Sequence, residues 1–479
     1  LPRTYRASPF GMHQQALIHY QRGEYRQALD LLQAVQRNAP EYAPAMLLTG
    51  LVHSRLGSPL QAENMLSRYL ALNPSNIYAR RELASVLVQL RQSTRALETV
   101  DPLLRSDQAN ASVYAIAGDI YAQLGQLGKA REWLQRASAA SPNQPAILSW
   151  DAIMSARAGD LDRAIEKLEN ATSLSKAITE SDGMLLAAYL YRKDADKALA
   201  LVKELEADAP KDPRTHYFRG VVMLDLDKQE DAKKAFEKAL GLMPTFIPAV
   251  ETLVRMDLEA GASASARARY EAVLAVHKSN LEALLGLASL LGRTGDTTGA
   301  AATLERAASL HPSALEPRAR LVDLYLRQGD KDKARASAQA AWTANPNHPA
   351  AMEMVGAVQL ATGEVNTALN TFSSLVRTFP KSEKGHYAMG QAQLAAGRPK
   401  EAEASFRRAL QLDAKLLPAQ LKLVGLLMEQ KRYDEALRFV RKLQKEDPKG
   451  PSGLTFEGEV LAAQDKWREA AAAFRRAPD

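Results

Sequence analysis

The run GQAQLAAGRPKEAEASFRRALQL, residues 390–412, decides how this chain folds. Its small residues Gly390, Gly397 and Ala402 and its large Phe406 are matched 34 residues upstream by Gly356, Gly363, Ala368 and Phe372. Laid over the whole chain, this period puts repeat 1 at 9–42. Later repeats begin at 43, 77, 111, 145, 179, 213, 247, 281, 315, 349, 383, 417 and 451, with no insertion or deletion. Thirteen full repeats and 29 residues of a fourteenth account for 9–479 of the 479 residues. Residues 1–8 read as an N-terminal tail or the remnant of an upstream repeat.

Position 20 is alanine in all fourteen repeats, from Ala28 to Ala470. A methyl group there lets two helices approach closely where a leucine would hold them apart. Position 8 is Gly or Ala in ten repeats and forms the other half of that crossing. Position 15 is glycine in nine repeats, among them Gly23, Gly57 and Gly397, where a left-handed residue ends a helix. Position 24 is usually large and apolar, as at Leu66, Phe236 and Phe406. Position 32 is proline in nine repeats, including Pro74, Pro346 and Pro448, and stops the second helix.

Apolar residues recur three, four and seven apart, the helical period, with no sustained alternation of the kind a strand needs. Each repeat is therefore expected to form helix A at about positions 1–14 and helix B at about 15–28, some 28 helices in all. Such pairs cannot bury their own apolar faces and must stack. The expected fold is all-α, a right-handed superhelical alpha-alpha solenoid.

The register weakens in places. Arg91, Lys193, Asp227, Lys431 and Asp465 replace the turn glycine, and Gln108, Lys176, Lys278 and Ala414 replace the proline. The junction Leu174-Ser175-Lys176-Ala177-Ile178-Thr179-Glu180-Ser181-Asp182-Gly183 departs furthest, which points to a pitch change or hinge near 173–186. The unfinished last repeat and the missing initiator Met suggest a piece of a longer array.

The spacing of Gly or Ala, Gly, Ala, a large apolar residue and Pro resembles the tetratricopeptide repeat family over residues 9–479. That resemblance implies a scaffold or peptide-binding module without catalysis or cofactor. The family's clamp for acidic C-termini is not matched, since repeat 1 carries His13 and Leu17 and repeat 3 carries Arg81 and Ser85 at the relevant positions. The uninterrupted array, with segments such as Gly118–Pro142 and Gly390–Leu412, is more narrowly similar to the large repeat lipoproteins of bacterial exosortase systems. Those accompany the sorting of proteins with a Pro-Glu-Pro C-terminal signal and the export of exopolysaccharide. This likeness implies a periplasmic protein of a Gram-negative envelope, associated with the outer membrane through a lipid anchor upstream of Leu1. The alternative is a cytoplasmic peptide-binding adaptor or regulator.

Composition sets the remaining bounds. There is no cysteine, which excludes disulfides and thiolate metal sites within these residues. The formal charge of +7 is spread along the chain without the basic stripe that nucleic acid requires, so no nucleic-acid partner is expected. No stretch approaches the apolar length of a membrane span. The eight histidines form no H-E-x-x-H pair, and His311 and His348 are expected in solvated turns. No phosphate-binding glycine loop or nucleophile elbow appears, so no metal, cofactor or catalytic residue is assigned.

In the expected superhelix helix A lines the concave groove, and positions 2, 5, 9 and 12 share one face of it. The candidate binding residues there are Arg81, Ser85, Asp119, Tyr217, Glu251, Arg255, Asp323, Lys384, Tyr387 and Gln391. Polar groups in such a groove can bond an extended protein or peptide partner, and Tyr217 and Tyr387 can stack on it.

Overall fold

The computed structural model describes residues 8–476 apart from 57–58, 107–108, 143, 158, 176–177, 313, 347 and 447–450. Gly57, Gln108, Lys176, Ala177, Pro448 and the tail before Ser8 thus lie outside the described residues. Among the described residues there are twenty-eight helices, two per repeat, from Pro9–Gln21 to Trp467–Arg476. The chain parts into two compact bodies, Leu1–Met243 and Pro244–Asp479. Within each, helix pairs stack in chain order.

Repeat 12 shows the local logic. Its helix A is Glu383–Ala395 and its helix B is Pro399–Leu412. Helix B therefore occupies positions 17–30, two residues later than the sequence suggested. The cause is the turn. Position 15 takes a left-handed conformation, with φ between 71° and 88° at the eight described glycines. Position 16 then caps helix B: Asp160, Asp194, Asp296 and Asp330 each accept the backbone N–H three residues on. Helix A is capped in the same way from the last position of the preceding repeat, by Asn76, Asn110, Asn280 and Ser382.

The five non-glycine residues at position 15 adopt the same turn. Arg91, Lys193, Asp227, Lys431 and Asp465 have φ of 57–61°. A side chain in this region costs roughly 1–2 kcal/mol. The array holds its geometry at these sites against local preference.

All fourteen position-20 alanines are buried, none more than 4% exposed. Positions 8 and 24 are complementary in size in most repeats. Where position 8 is glycine, position 24 is Phe or Leu: Gly50 with Leu66, Gly118 with Leu134, Gly220 with Phe236, Gly356 with Phe372, Gly390 with Phe406 and Gly458 with Phe474. A Cβ on any of these glycines would sit 2.4–2.7 Å from that side chain. Ala16, Ala152 and Ala288 instead face Leu32, Leu168 and Leu304, and Val322 in repeat 10 faces Ala338. Repeat 8, with Val254 at position 8, turns its Tyr270 ring toward Gly286 of the next repeat.

Cores run across repeat borders, as stacking demands. One joins Ala402 and Phe406 to Leu423, Leu427 and Val440 and on to Phe456 and Val460. A polar lock also recurs at borders. Tyr189 donates to Glu169 of the preceding repeat at 2.7 Å, and Lys197 lies over the Tyr189 ring while bonding Glu169 at 2.9 Å. In the second body Tyr325 donates to Glu305 and Lys333 lies over the Tyr325 ring, with its ammonium paired to Asp330 instead. Burial first, then the carboxylate, pushes both phenols well above the usual range.

The proline-free junction of repeats 5 and 6 is built differently. Thr179 opens Glu180–Tyr191 with a capping box: its N–H and its hydroxyl both donate to Asp182, at 2.6 and 2.8 Å. Buried Ser149 and Ser181 share a hydrogen bond of 2.6 Å across it, and Arg192 reaches Asp162 at 2.9 Å. His311 and His348 differ from the solvated turn residues expected. His311 bonds the Ser279 carbonyl at 2.6 Å, and His348 Nδ1 caps the following helix by accepting from Ala350. Both are half-buried.

Candidate protein-binding face

In the first body each helix A of repeats 1–6 touches the helix A of the next repeat as well as its own helix B. Side chains at positions 2, 5, 9 and 12 of successive repeats therefore meet across helix borders. In repeats 1–3 they form a cluster. The Tyr20 hydroxyl, first, and the Glu82 and Tyr78 side chains raise the Arg55 pKa despite partial desolvation. The Arg81 guanidinium sits 5.0 Å from the centre of the Tyr78 ring and bonds Glu82 at 2.8 Å. Burial, then the Glu82 carboxylate, pushes the Tyr78 phenol up, while its ring is 41% exposed and open to a partner. Ser85 is half-buried one turn beyond Arg81. The cluster offers two guanidinium groups, two phenols and one carboxylate, a setting for an anionic or carbonyl-rich segment that also stacks.

A second cluster lies in repeats 11 and 12 of the second body. Burial raises the Glu353 carboxyl, against the bond from Ser382 at 3.2 Å and the pull of Lys384. Gln391 donates to the Tyr387 hydroxyl at 3.0 Å.

The other candidates stand apart from these clusters. Asp119 is half-buried, and burial pushes its carboxyl up against the pull of Arg91, a hydrogen bond from Gln123 and the Arg157 charge. Tyr217 packs 5.6 Å from Phe236. Tyr387 lies 5.9 Å from Phe406 in the same way, so a tyrosine at position 5 rests on the phenylalanine at position 24 in both repeats. Glu251 and Arg255 are exposed, and Asp323 pairs with Arg327 one turn on. The sequence reading missed Tyr20, Arg55, Tyr78, Glu82, Glu353 and Ser382. Tyr20, Tyr78 and Glu353 occupy positions 12, 2 and 5, so the periodicity that selected Arg81 was able to find them. Arg55, Glu82 and Ser382 lie off that face in register: Glu82 adjoins Arg81 in the chain, Ser382 reaches Glu353 from the end of the same repeat, and Arg55 comes in from the repeat next to Tyr20.

Among the described residues no group of three His, Asp or Glu is placed to hold a metal ion, and no helix is long and apolar enough to cross a membrane.

Models of the tetratricopeptide repeat match residues 13–77, 81–145, 320–383 and 393–456, and a model of the protein kinase G tetratricopeptide repeat matches 141–327. The chain belongs to the tetratricopeptide repeat family. Tetratricopeptide repeats are non-enzymatic modules of protein interaction, and this chain is a protein-interaction scaffold of that kind. It is 22% identical over 144 residues, 30% of its length, to TPR repeat-containing protein YpiA of Bacillus subtilis. It is 42% identical over 76 residues, 16% of its length, to Cellulose synthase operon protein C of Xanthomonas axonopodis pv. citri. It is 19% identical over 278 residues, 50% of its length, to Anaphase-promoting complex subunit 3 of Schizosaccharomyces pombe. These matches span 34%, 5% and 42% of the relatives' own lengths. Among solved structures, the fold is similar to that in the APC/C hetero-tetramer Cut9-Hcn1, with TM-score 0.31 and 14% identity over 99% of both chains. It is also similar to the yeast Tom70 structure, with TM-score 0.41 and 14% identity over 98% of this chain and 96% of that one.

Proposed function

We propose that this tetratricopeptide repeat chain is an adaptor that holds an extended segment of a partner protein along its row of A helices. The observation that carries the reading is the cluster of Tyr20, Arg55, Tyr78 and Arg81, where exposed aromatic surface and paired guanidinium groups come from three successive repeats. Side chains fixed on packed helices lose little freedom when a partner binds, which lowers the cost of association. Subunits of multiprotein assemblies such as Anaphase-promoting complex subunit 3 are among the relatives, and they favour the adaptor reading over the exosortase-linked envelope role. The remaining candidates, Asp119 and Tyr217 in the first body and Glu251, Arg255, Asp323, Lys384, Tyr387 and Gln391 in the second, are proposed as secondary contacts on the A-helix face of their own body.

The test is site-specific photo-crosslinking. A photoreactive phenylalanine placed at Tyr78 or Tyr387 is expected to trap a partner that the same group at Lys234 or Arg267, on exposed B-helix surface, does not. Arg81→Glu is expected to remove the Tyr78 crosslink. Equal yields from both faces end the proposal.

A further inference from the structure

Repeat 13 breaks the second body's pattern twice on its B-helix side. Position 23 is a hydroxyl residue in the four preceding repeats, Thr303, Ser337, Thr371 and Ser405, and becomes Phe439. In repeats 11 and 12 that hydroxyl donates to a glutamine at position 11, Thr371 to Gln359 and Ser405 to Gln393. In repeat 13 position 11 is Leu427, so both partners of the polar pair have turned apolar. Ala414 meanwhile stands where the proline of most junctions would fill space.

The two changes meet at one place. A cavity of about 420 Å³ opens between Pro399–Leu412 and Tyr433–Glu446, with Leu410, Leu423, Phe439 and Leu443 as its floor. Arg407 stands on one rim and Arg438 and Lys442 on the other, with Glu435 as the one carboxylate among the described lining residues. These described residues sum to a charge of +2, three cations less one anion. The rim is pre-set: Arg407 bonds Glu403 at 2.8 Å, and Arg432 holds Glu403 at 2.5 Å and Glu435 at 2.7 Å. The two carboxyls lie below the usual range, chiefly through their bonds to Arg432.

We propose that this cavity is a second binding site, separate from the A-helix face, for an acidic segment of a partner protein that inserts one large apolar side chain. A volume of this order lies within the range of ligand pockets, at the small end, and suits one or two side chains. A buried apolar anchor with charges around it is the usual plan of an interaction hot spot. Cations on both rims call for carboxylates on both sides of the anchor. A peptide with acidic residues flanking a Phe meets that demand, whereas a fatty acid carries one charge at one end.

The test uses the full chain and a short fluorescein-labelled peptide with one Phe flanked on each side by Glu, read by fluorescence anisotropy at low salt. Replacing its Glu by Lys, or its Phe by Ala, is expected to weaken binding by about tenfold or more. Arg438→Glu with Lys442→Glu, both on exposed helix surface, is expected to weaken it by a similar factor while leaving the far-UV circular dichroism unchanged. Phe439→Ser, which restores the residue type of Ser405, is expected to show the same loss without charge reversal. Tyr78→Ala with Arg81→Glu is expected to leave this binding intact, so failure here and failure of the A-face reading are told apart. Binding that survives the rim reversal, that is equal for the Lys peptide, or that is lost only with the Tyr78 and Arg81 changes would overturn the proposal. So would saturable binding of laurate at this site without binding of the peptide.

Discussion

Replacing Gly390 by alanine tests the size matching of positions 8 and 24 directly. The added methyl would lie 2.5 Å from Cε1 of Phe406, 2.7 Å from Cδ1 and 3.0 Å from Cζ. Carbon atoms rest at about 3.5–4.0 Å, so the ring has to retreat by about 1 Å. Phe406 is 0% exposed and has no free space to enter. Overpacking of this kind costs about 1–3 kcal/mol. Alanine in a helix interior returns about 1 kcal/mol relative to glycine. The net expectation is a loss of about 0–2 kcal/mol in the stability of repeat 12. Phe406→Leu alone opens a void and is expected to cost about 1–2 kcal/mol. The double variant recreates the Ala and Leu pairing of repeats 1, 5 and 9 and is expected within about 1 kcal/mol of the parent, a favourable coupling of contacting residues. A repeat array does not unfold as one cooperative unit, so the assay is hydrogen exchange read on peptides from 383–395 and 399–412. Greater protection in Gly390→Ala, or costs that simply add in the double variant, would refute the reasoning.

Three further outcomes are expected. Asp182→Ala removes the acceptor of both Thr179 bonds and is expected to cost about 1–2 kcal/mol, seen as faster exchange confined to Glu180–Tyr191. Tyr189→Phe deletes the hydroxyl bond to Glu169 while Lys197 keeps that carboxylate paired, so a loss of about 1 kcal/mol is expected at the border of repeats 5 and 6, measured by urea titration of exchange. The Glu353 carboxyl is raised by burial, so the folded state binds its proton more tightly than the unfolded chain. The stability of helix Pro349–Ala361 should then fall as pH climbs from the ordinary glutamate value to the raised one, and stay lower above it. Glu353→Gln should abolish that decline and leave the helix more protected at neutral pH; an unchanged pH profile in the variant would count against the buried carboxyl as its source.

The sequence carried the fold because its strongest constraints are periodic. Ala402 and its thirteen counterparts, Gly397 and its equivalents and the junction prolines each answer a geometric need that recurs every 34 residues. The start of helix B was misplaced by two residues because a left-handed residue at position 15 obliges position 16 to act as the cap, a detail hidden by the glycine-only view of the turn. Arg91 and Lys193 looked like departures and are conformationally the same residue as Gly397. The binding face was less legible. Register gives which helix face a side chain shares but not which neighbour it meets, so Arg81 was found while Arg55, whose pKa the Tyr20 hydroxyl of the adjacent repeat raises, was not. Tyr387 and Tyr217 were read as groove aromatics, and packing commits one side of each ring to a core phenylalanine.

The pairing of position 8 with position 24 has a consequence for how such an array can be recombined. Each helix A fits the helix B that follows it in its own repeat: Gly356 needs a large ring, and Val322 needs Ala338. A crossover inside the turn at positions 14–16 that joined the helix A carrying Val322 to the helix B carrying Phe372 would set a branched side chain where a ring already fills the space. A crossover near position 32 exchanges whole pairs and leaves the fits of position 8 to position 24 intact, so that only contacts between repeats, such as Tyr270 against Gly286, have to be matched anew. The module of insertion, deletion or shuffling that keeps its own helix pair fitted is therefore the two-helix repeat in the register that begins at residue 9.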